Sequence, residues 1–524
     1  MTEEKDKFVS SIKDGYTFKG ESILLGTAIF KSEYLPGVHI KLPVKTMNRH
    51  GLIAGATGTG KTKTLQIIAE GLSSKSIPVL MMDIKGDLSG LAMPGITNPK
   101  IEERSERIGV KFSPSGFPVE LLTISNEKGV RLRATVSEFG PVLFSKMLEL
   151  NETQSGLVSL IFKYCDDNGL PLLDLKDFKK MLQYISDEGK KEIESNYGKI
   201  STTSTGTILR KVIELEQQNA DMFFGETSFE VEDLLKIDYE GKGVISIIRL
   251  TDIQSKPKLF STFLLCMLVE IYNNFEEVGD ADQPKLIIFI DEAHLFFQEA
   301  SKALLEQIET IIKLIRSKGV GIFFCTQNPT DIPDSVLSQL GMKVQHSLRA
   351  FTAKDRKMIK LIAQNYPMSD FYNLEDLITS LGIGEAAVTV LSENGTPTPL
   401  AATLLCPPSS RMDILSQDEI VALVSKSVLI KKYNDTIDRE SAYEILTNKL
   451  KEAKEIEEKN ETADDQAKNS GNVKQEKSTV EKVLTSTTAR QVGRTIAREL
   501  TRGLLGVLGI GGSSGTRRKK TSWF

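Results

Sequence analysis

The most informative segment of the sequence is a glycine-rich stretch that follows a short apolar run. Residues 55–62 are Gly-Ala-Thr-Gly-Thr-Gly-Lys-Thr, which fits the pattern GxxxxGK[ST]. In such a segment the glycines let backbone N–H groups surround phosphates, the lysine adds a positive charge, and the hydroxyl ligates magnesium. The pattern predicts a phosphate-binding loop (P-loop) for ATP and Mg²⁺, as opposed to a flexible turn, formed by Gly55, Ala56, Thr57, Gly58, Thr59, Gly60, Lys61, Thr62 and Lys63.

A second apolar run ends in two carboxylates, Asp291 and Glu292. A P-loop needs an acid at the end of a neighbouring strand to complete the magnesium shell, often followed by a base that orients water. We therefore predict that Asp291 binds Mg²⁺ together with Thr62, and that Glu292 polarises the attacking water. This placement favours hydrolysis over transfer to a small acceptor, as in a nucleoside kinase. Solvated acids at a strand end are the alternative.

Two further polar residues follow apolar runs. Gln327 comes after Val320–Cys325 and is predicted to contact the γ-phosphate or the water, although a polar residue can also simply end a strand. Asp83 ends the strand after the P-loop helix. Because the carboxyl ends of parallel strands line one crevice, Asp83 should face the same site. It either hydrogen-bonds to the magnesium ligands or is a structural partner of Lys85.

Arg316 lies just before the strand that carries Gln327. In a ring of subunits, an arginine at this place reaches a neighbour's γ-phosphate and stabilises negative charge in the transition state. Arg349 is the rival for this role, and a surface cation is the alternative for either.

The elements that position these residues alternate between short apolar runs and helical segments from His50 onward. Such alternation predicts an α/β fold with a mainly parallel sheet. Helical periodicity in Leu143–Ile161 and Ile208–Gln217 predicts a helical insertion, and Ser22–Phe30 and Val38–Val44, with Pro36-Gly37 between them, predict a small β unit. The predicted domains are a β unit at 1–45, a core at 46–124 and 236–410, an insertion at 125–235, a helical segment at 411–448, and a linker and tail at 449–524.

The predicted tail has two regular stripes. Apolar residues recur every four positions, and arginines recur at the same interval with an offset of two: Val492, Ile496, Leu500 and Leu504 against Arg490, Arg494, Arg498 and Arg502. Two residues turn a helix by about 200°, so the stripes lie on opposite faces. A helix that docks on a protein partner is the first interpretation, and contact with a membrane surface or nucleic acid is the alternative. The preceding stretch, 449–482, is a solvated helix or a flexible linker.

Composition and charge limit the class of protein. A net charge of -4 argues against a protein that coats nucleic acid with its whole surface, but leaves room for a basic pore. The longest apolar stretch, Leu259–Val269, is too short to span a bilayer, and no signal peptide precedes it, so a cytoplasmic protein without a transmembrane segment is expected. The scattered cysteines exclude a zinc finger or a disulfide framework.

These segments together resemble the HerA/FtsK superfamily of P-loop ATPases, and more closely the YjgR group of HerA-like proteins. The resemblance covers most of residues 20–410 and is carried by Asn48–Ile53 before the P-loop, Asp83–Asp87, Arg133–Val136, Phe223–Glu226, Asp291–His294 and Ile315–Pro333. It implies a RecA-like core in a hexameric ring, ATP at subunit interfaces, and double-stranded DNA, if any, in the channel. It also implies that Lys61, Asp83, Glu292, Gln327 and Arg316 form the catalytic set. HerA proper has a fuller N-terminal β-barrel than residues 1–45 provide.

Two functions compete at this stage. The first is a DNA translocase or helicase-like pump whose contacts with double-stranded DNA are sequence-neutral, because the chain has no evident recognition motif. The second is a DNA-independent, ATP-driven assembly or regulatory switch that acts on a protein partner through the C-terminal tail.

Overall fold

The computed structural model describes residues 2–252, 256–279, 281–298, 302–435, 441–448 and 451. Apart from Lys451, the linker and arginine-striped tail predicted at 449–524 therefore lie outside the described residues. The chain forms two compact units. Residues 2–134 and 213–435 make up the first unit, which contains the sheet, and residues 135–212 with 441–448 belong to the second, which is helical.

A single twelve-stranded sheet forms the centre of the first unit. Its strands are β1 Ser22–Phe30, β2 Glu33–Pro43, β3 Gly51–Ala54, β4 Val79–Asp83, β5 Val119–Thr123, β6 Val130–Arg131, β7 Ile245–Arg249, β8 Leu286–Ile290, β9 Val320–Thr326, β10 Met342–His346, β11 Glu385–Thr389 and β12 Ala401–Leu405. The order across the sheet is β2-β1-β12-β11-β10-β3-β9-β8-β4-β7-β5-β6. Neighbours from β10 to β6 run parallel, and those from β10 to β2 run antiparallel. The predicted α/β fold with a mainly parallel sheet is confirmed.

Helices connect these strands and form the second unit. They are α1 Thr2–Gly15, α2 Lys61–Ser73, α3 Pro99–Ile108, α4 Val136–Met147, α5 Glu152–Asn168, α6 Leu175–Ser186, α7 Lys190–Tyr197, α8 Thr202–Gln217, α9 Pro257–Asn274, α10 His294–Gln298, α11 Lys302–Ile315, α12 Asp334–Leu337, α13 Ala353–Gln364, α14 Leu374–Ser380, α15 Gln417–Ser425 and α16 Leu429–Tyr433. None of the helices in the described ranges is long and apolar enough to cross a bilayer.

The central strands are buried on both faces. All residues of β3 and β8 are buried, as expected of parallel strands covered by helices on each side. Ile53 of β3, Leu65 and Ile68 of α2, Phe289 of β8 and Phe323 of β9 belong to one apolar core. This shared core fixes the helix that follows the P-loop against the strands that carry the predicted acids and glutamine.

Three local predictions were wrong. The turn between β1 and β2 lies at Lys31-Ser32, both with positive φ, and Pro36-Gly37 lies inside β2. The helical pattern over Leu143–Ile161 is interrupted between α4 and α5, where the Asn151 side chain caps α5. The apolar run Val344–Leu348 predicts a strand over those residues, but the observed strand, β10, begins and ends two residues earlier.

Helix α1 was not predicted, although its apolar residues carry a signal. Phe8, Ile12 and Tyr16 recur every four residues and are buried. The Tyr16 hydroxyl donates to the carbonyls of Val388 and Pro399, which attaches the end of this segment to the sheet.

Candidate nucleotide-binding site

The predicted P-loop connects β3 to α2 at the carboxyl ends of the central strands. Its backbone is attached to both neighbouring strands: Gly55 N donates to Thr326 O (3.3 Å) and Ala56 N to Ser347 O (2.9 Å). Gly55 has a φ of +152°, and a Cβ there would lie 2.4 Å from the Cβ of His346. A side chain at this position is therefore excluded by both conformation and space.

The lysine and threonine of the loop contact protein atoms in this structure. The buried Lys61 ammonium donates to the carbonyls of Gly55 (2.7 Å) and Ala56 (3.0 Å). Burial lowers the pKa of Lys61, and the nearby Lys85 lowers it further. The Thr62 hydroxyl donates to the Asp87 carboxylate (3.2 Å). The groups predicted to bind phosphate and magnesium thus meet at the first turn of α2.

Asp291 and Glu292 follow β8, at the same end of the sheet as the P-loop. Burial raises the pKa of Asp291 to about 6, against the opposing effect of Lys85. The Glu292 side chain is 5% exposed; its carboxylate forms an ion pair with Lys85 and lies 3.1 Å from Nδ1 of His294. The predicted base is therefore fixed between two basic side chains.

Asp83 ends β4 and shapes the turn that follows it. Its carboxylate accepts hydrogen bonds from the backbone N–H groups of Gly86 (2.7 Å), Asp87 (3.2 Å) and Leu88 (3.2 Å). Burial raises the pKa of Asp83 to about 7, with a further contribution from Asp87. The turn held by Asp83 carries both Lys85, which contacts Glu292, and Asp87, which contacts Thr62. Its role as a catalytic acid stays a prediction.

Gln327 directly follows β9 and is half-buried. The carbonyl of the preceding residue, Thr326, accepts a hydrogen bond from Gly55 N. The backbone of Gln327 is therefore next to the first residue of the P-loop. The structure thus brings Gln327 to the carboxyl edge, by which we mean residues 55–62, 83–88, 291–292 and 327. Its contact with a phosphate or water stays a prediction.

The oxygen atoms at the carboxyl edge fit a magnesium ion that a nucleotide completes. Within the described ranges, no cluster of three or more His, Cys, Asp or Glu side chains is arranged to hold a metal by itself. Buried Oδ2 of Asp291 and Oδ1 of Asp87 also have no hydrogen-bond partner there. Magnesium commonly takes one or two carboxylates and fills its shell with phosphate oxygens and water. Thr62 and Asp291 are suited to such an ion.

The two candidate arginines lie at opposite ends of the strands. Arg349 follows β10, at the P-loop end, and is exposed. Arg316 precedes β9 and is also exposed. The seven residues of β9 separate Arg316 from the P-loop by about 20 Å, at about 3.3 Å per residue. Arg316 therefore lies outside the site formed by its own chain.

Arg316 belongs to a pocket at the amino ends of β3, β9 and β10, which we call the amino edge. The pocket has a volume of about 510 Å³ and contains Arg49, Lys313, Arg316 and Lys343. No Asp or Glu is among the described residues that line it. Sequence reasoning identified only Arg316 as functional, although Arg49 lies in a segment that carries the family resemblance.

One histidine of the amino edge is held in the neutral form. Nε2 of His50 contacts Ile312 O (2.8 Å), and Nδ1 accepts from Ile322 N (3.0 Å). Burial lowers the pKa of His50 to about 4, with a further contribution from Arg316. The positive charge of this pocket therefore comes from its arginines and lysines at neutral pH.

Comparison with known proteins identifies relatives of the chain. Residues 30–514 match the family described as "Helicase HerA-like C-terminal". The DNA double-strand break repair helicase HerA of Sulfolobus acidocaldarius is 22% identical over 356 residues, which cover 67% of this chain and 64% of that protein. The HerA of Saccharolobus solfataricus is 24% identical over 389 residues, 74% and 69% of the two chains. The match to the first relative thus spans just under two thirds of its length.

A solved structure shares the fold. The bacterial conjugative coupling protein TrwBdeltaN70, in an unbound form, aligns with a TM-score of 0.50 at 14% identity. The alignment covers 78% of this chain and 94% of that one.

Proposed function

The chain belongs to the HerA-like C-terminal family of P-loop ATPases, and we propose that it hydrolyses ATP in a ring of identical subunits that translocates on or remodels double-stranded DNA. The observation that carries the proposal is the meeting of the Lys61 loop, Asp291 and Glu292 at one end of the sheet. The names of the HerA relatives support DNA as the substrate.

Each residue of the carboxyl edge has a part in the proposed hydrolysis. The P-loop amides and Lys61 bind the β- and γ-phosphates. Thr62 and Asp291 hold Mg²⁺, which neutralises charge on the phosphate oxygens. Glu292 accepts a proton from the attacking water while Gln327 orients that water. Asp83 keeps the turn with Lys85 and Asp87 in place.

Arg316 acts on the nucleotide of a neighbouring subunit in this proposal. It cannot serve its own P-loop across the length of β9. A pocket with four basic side chains and no carboxylate among its described lining suits a surface that meets phosphate charge. The ring that this requires is a hexamer in the HerA/FtsK superfamily, and we propose the same number here.

Contact with DNA is proposed to be electrostatic and independent of sequence. The net charge of -4 leaves no general basic coat, so the basic surface must be local, as in a channel. Binding through phosphates depends steeply on salt.

ATP turnover by the full chain tests the proposal. We expect turnover that duplex DNA stimulates at low salt and stimulates less as salt rises. The Glu292→Gln variant should bind ATP without turnover, and Lys61→Ala should not bind it. Turnover unaffected by duplex DNA at every salt concentration would contradict the DNA substrate and favour the switch that acts on a protein partner. Full ATP affinity in Lys61→Ala would contradict the site itself.

A further inference from the structure

Two segments outside the P-loop flank the first turn of α2. The turn before β11 contacts the loop directly: Gly384 N donates to Thr59 O (2.9 Å), and a Cβ on Gly60 would lie 3.4 Å from the Cα of Gly384. The segment after β12 contacts the helix: Lys63 Nζ donates to Met412 O (2.5 Å). Residues 383 and 412 therefore both lie beside the start of the nucleotide-binding helix.

The segment at 409–412 is fixed by a buried carboxylate. Glu70 of α2 accepts hydrogen bonds from Ser409 N (2.8 Å), Ser410 N (3.0 Å) and the Ser410 hydroxyl (2.5 Å). Arg411 forms a bidentate salt bridge with the Glu419 carboxylate, with N–O distances of 3.0 and 2.7 Å. The position of Met412 beside Lys63 is thus set by the three residues that precede it.

The turn at 383–384 is fixed by an arginine. Arg104 of α3 donates to the carbonyls of Ile383 (3.0 Å), Gly384 (3.0 Å) and Leu405 (3.1 Å). These bonds hold the turn against β12 and leave the Ile383 side chain outward.

Each segment exposes an apolar side chain next to a polar phosphate site. Ile383 is 75% exposed and Met412 is 39% exposed. A nucleotide whose γ-phosphate faces Glu292, on the β8 and β9 side, must extend its ribose and base the other way across Lys63. The aliphatic stem of Lys63 lies there, with its ammonium held on Met412 O.

We propose that Ile383, Met412 and the stem of Lys63 form the subsite for the purine base of the bound nucleotide. The inference rests on the proposed ATP site and identifies how the rest of the nucleotide is held. The Ile383 and Met412 carbonyls accept hydrogen bonds from Arg104 and Lys63, and the groups that these segments offer to the base are apolar side chains. The subsite therefore holds the ring by apolar contact and discriminates weakly between adenine and guanine.

Binding of three ligands to the full chain tests this subsite: ATP, GTP and inorganic tripolyphosphate, each with Mg²⁺, measured by calorimetry. Replacing both side chains, Ile383→Ser with Met412→Ser, should weaken ATP and GTP about tenfold, because apolar area that covers the base is lost. Tripolyphosphate affinity should change less than about twofold, because it lacks a base.

Two control variants accompany the serine pair. Ile383→Leu with Met412→Leu should keep ATP affinity within about twofold of wild type, because the apolar area remains. Met368→Ser removes an apolar side chain that is more exposed (101%) and lies outside these two segments, and it should leave all three affinities unchanged.

Several outcomes would overturn the subsite. Equal losses of ATP and tripolyphosphate in the serine pair would mean that these segments only support the P-loop. Unchanged ATP affinity would place the base elsewhere, and a preference above about tenfold between ATP and GTP would contradict apolar recognition. If wild type binds neither ATP nor tripolyphosphate, the proposed nucleotide site itself fails, which is a distinct result.

Discussion

The two ends of the central strands differ in how their charges are balanced. At the carboxyl edge, basic and acidic side chains contact each other: Lys85 pairs with Glu292, and Asp83, Asp87 and Asp291 lie nearby. At the amino edge, four basic side chains line one pocket with no Asp or Glu in the part of its lining that the structure describes. Basic and acidic side chains are paired at the carboxyl edge, whereas the basic residues of the amino edge share their pocket with no carboxylate among its described lining.

This difference indicates that the two ends depend on other molecules in different ways. The carboxyl edge contains the groups that bind and cleave a nucleotide, and the amino edge suits an anion supplied from outside the chain. Strands β3 and β9 reach both ends, so they position residues of both sets: the P-loop and Gln327 at one end, and Arg49 and Arg316 at the other. The proposed ring joins them by placing one subunit's amino edge at its neighbour's nucleotide.

The largest expected effect comes from the carboxyl edge. Glu292→Gln keeps the size of the side chain but removes the proton acceptor, so kcat should fall by about 10² to 10⁴ while ATP affinity stays close to wild type. Single-turnover hydrolysis and direct nucleotide binding measure the two quantities separately. A fall of less than about tenfold would assign the base to another residue.

The next effect tests whether the amino edge acts between subunits. Arg316→Ala should lower kcat by about 10³ without lowering the ATP affinity of the subunit, because Arg316 is remote from its own P-loop. Mixing Arg316→Ala with Glu292→Gln subunits should restore turnover above that of either variant, since some interfaces then combine an intact Glu292 with an intact Arg316.

Arg349→Ala is the matched control for the mixing experiment. Arg349 lies at the P-loop end of its own chain, so its loss should not be complemented by Glu292→Gln subunits. Complementation by Arg349→Ala but not by Arg316→Ala would reverse the assignment and remove the functional contrast between the two ends.

A third prediction concerns the internal charge balance of the carboxyl edge. Lys85→Met removes the ammonium that pairs with the buried Glu292 carboxylate. The free energy of unfolding should fall by about 1 to 3 kcal/mol, less than for a fully buried pair because Lys85 is 34% exposed. Lys313→Met at the amino edge removes a charge with no carboxylate in its pocket and should change stability by less than about 0.5 kcal/mol. Urea unfolding of both variants measures the difference.

The smallest expected effect is on the pH dependence of stability. It concerns a feature that both ends of the strands share, a buried histidine beside a cation. Burial lowers the pKa of His50 and of His346 to about 4, with Arg316 and Lys61 as the respective neighbours. Between pH 6.5 and 4 the unfolded chain binds protons that the folded chain excludes, so stability should fall as pH falls through this window.

Replacing either histidine isolates its share of that pH dependence. In His50→Gln or His346→Gln, the loss of stability between pH 7 and pH 5 should shrink by about 1 to 2 kcal/mol relative to wild type. Thermal unfolding at the two pH values provides the measurement. An unchanged pH dependence in both variants would mean that the pKa of each ring is the same in the folded and the unfolded chain.

The carboxyl edge could be predicted from sequence because its signals are local. Residues 55–62 form a contiguous pattern, and Asp83, Asp291 and Gln327 each lie at or directly after the end of an apolar strand that could be recognised in the sequence. The amino edge could not be predicted in the same way. Arg49, Lys313, Arg316 and Lys343 come from three separate segments, and only the strand order β10-β3-β9 brings them together.

The pairing of strands that are far apart in the sequence also could not be predicted. The pattern of β1 was evident, but its pairing with β12 joins residues 26–28 to 403–405. A Pro-Gly pair usually indicates a turn, yet Pro36-Gly37 lies in β2, whose pairing with β1 contains register shifts. A role for Ile383 and Met412 could not be predicted from the sequence. Single exposed apolar residues are common, and only the structure shows that these two lie beside the nucleotide-binding helix.

The buried carboxylate of Glu70 sets a limit on how the protein can be shortened. Its hydrogen-bond donors, Ser409 and Ser410, lie about 340 residues further along the chain. A truncation that removes them would take away three hydrogen bonds to the helix after the P-loop, at a cost of roughly 1–3 kcal/mol or more. Deletions meant to remove only the C-terminal tail should therefore stop well after Ser410, or the loss of ATP binding would be mistaken for a function of the tail.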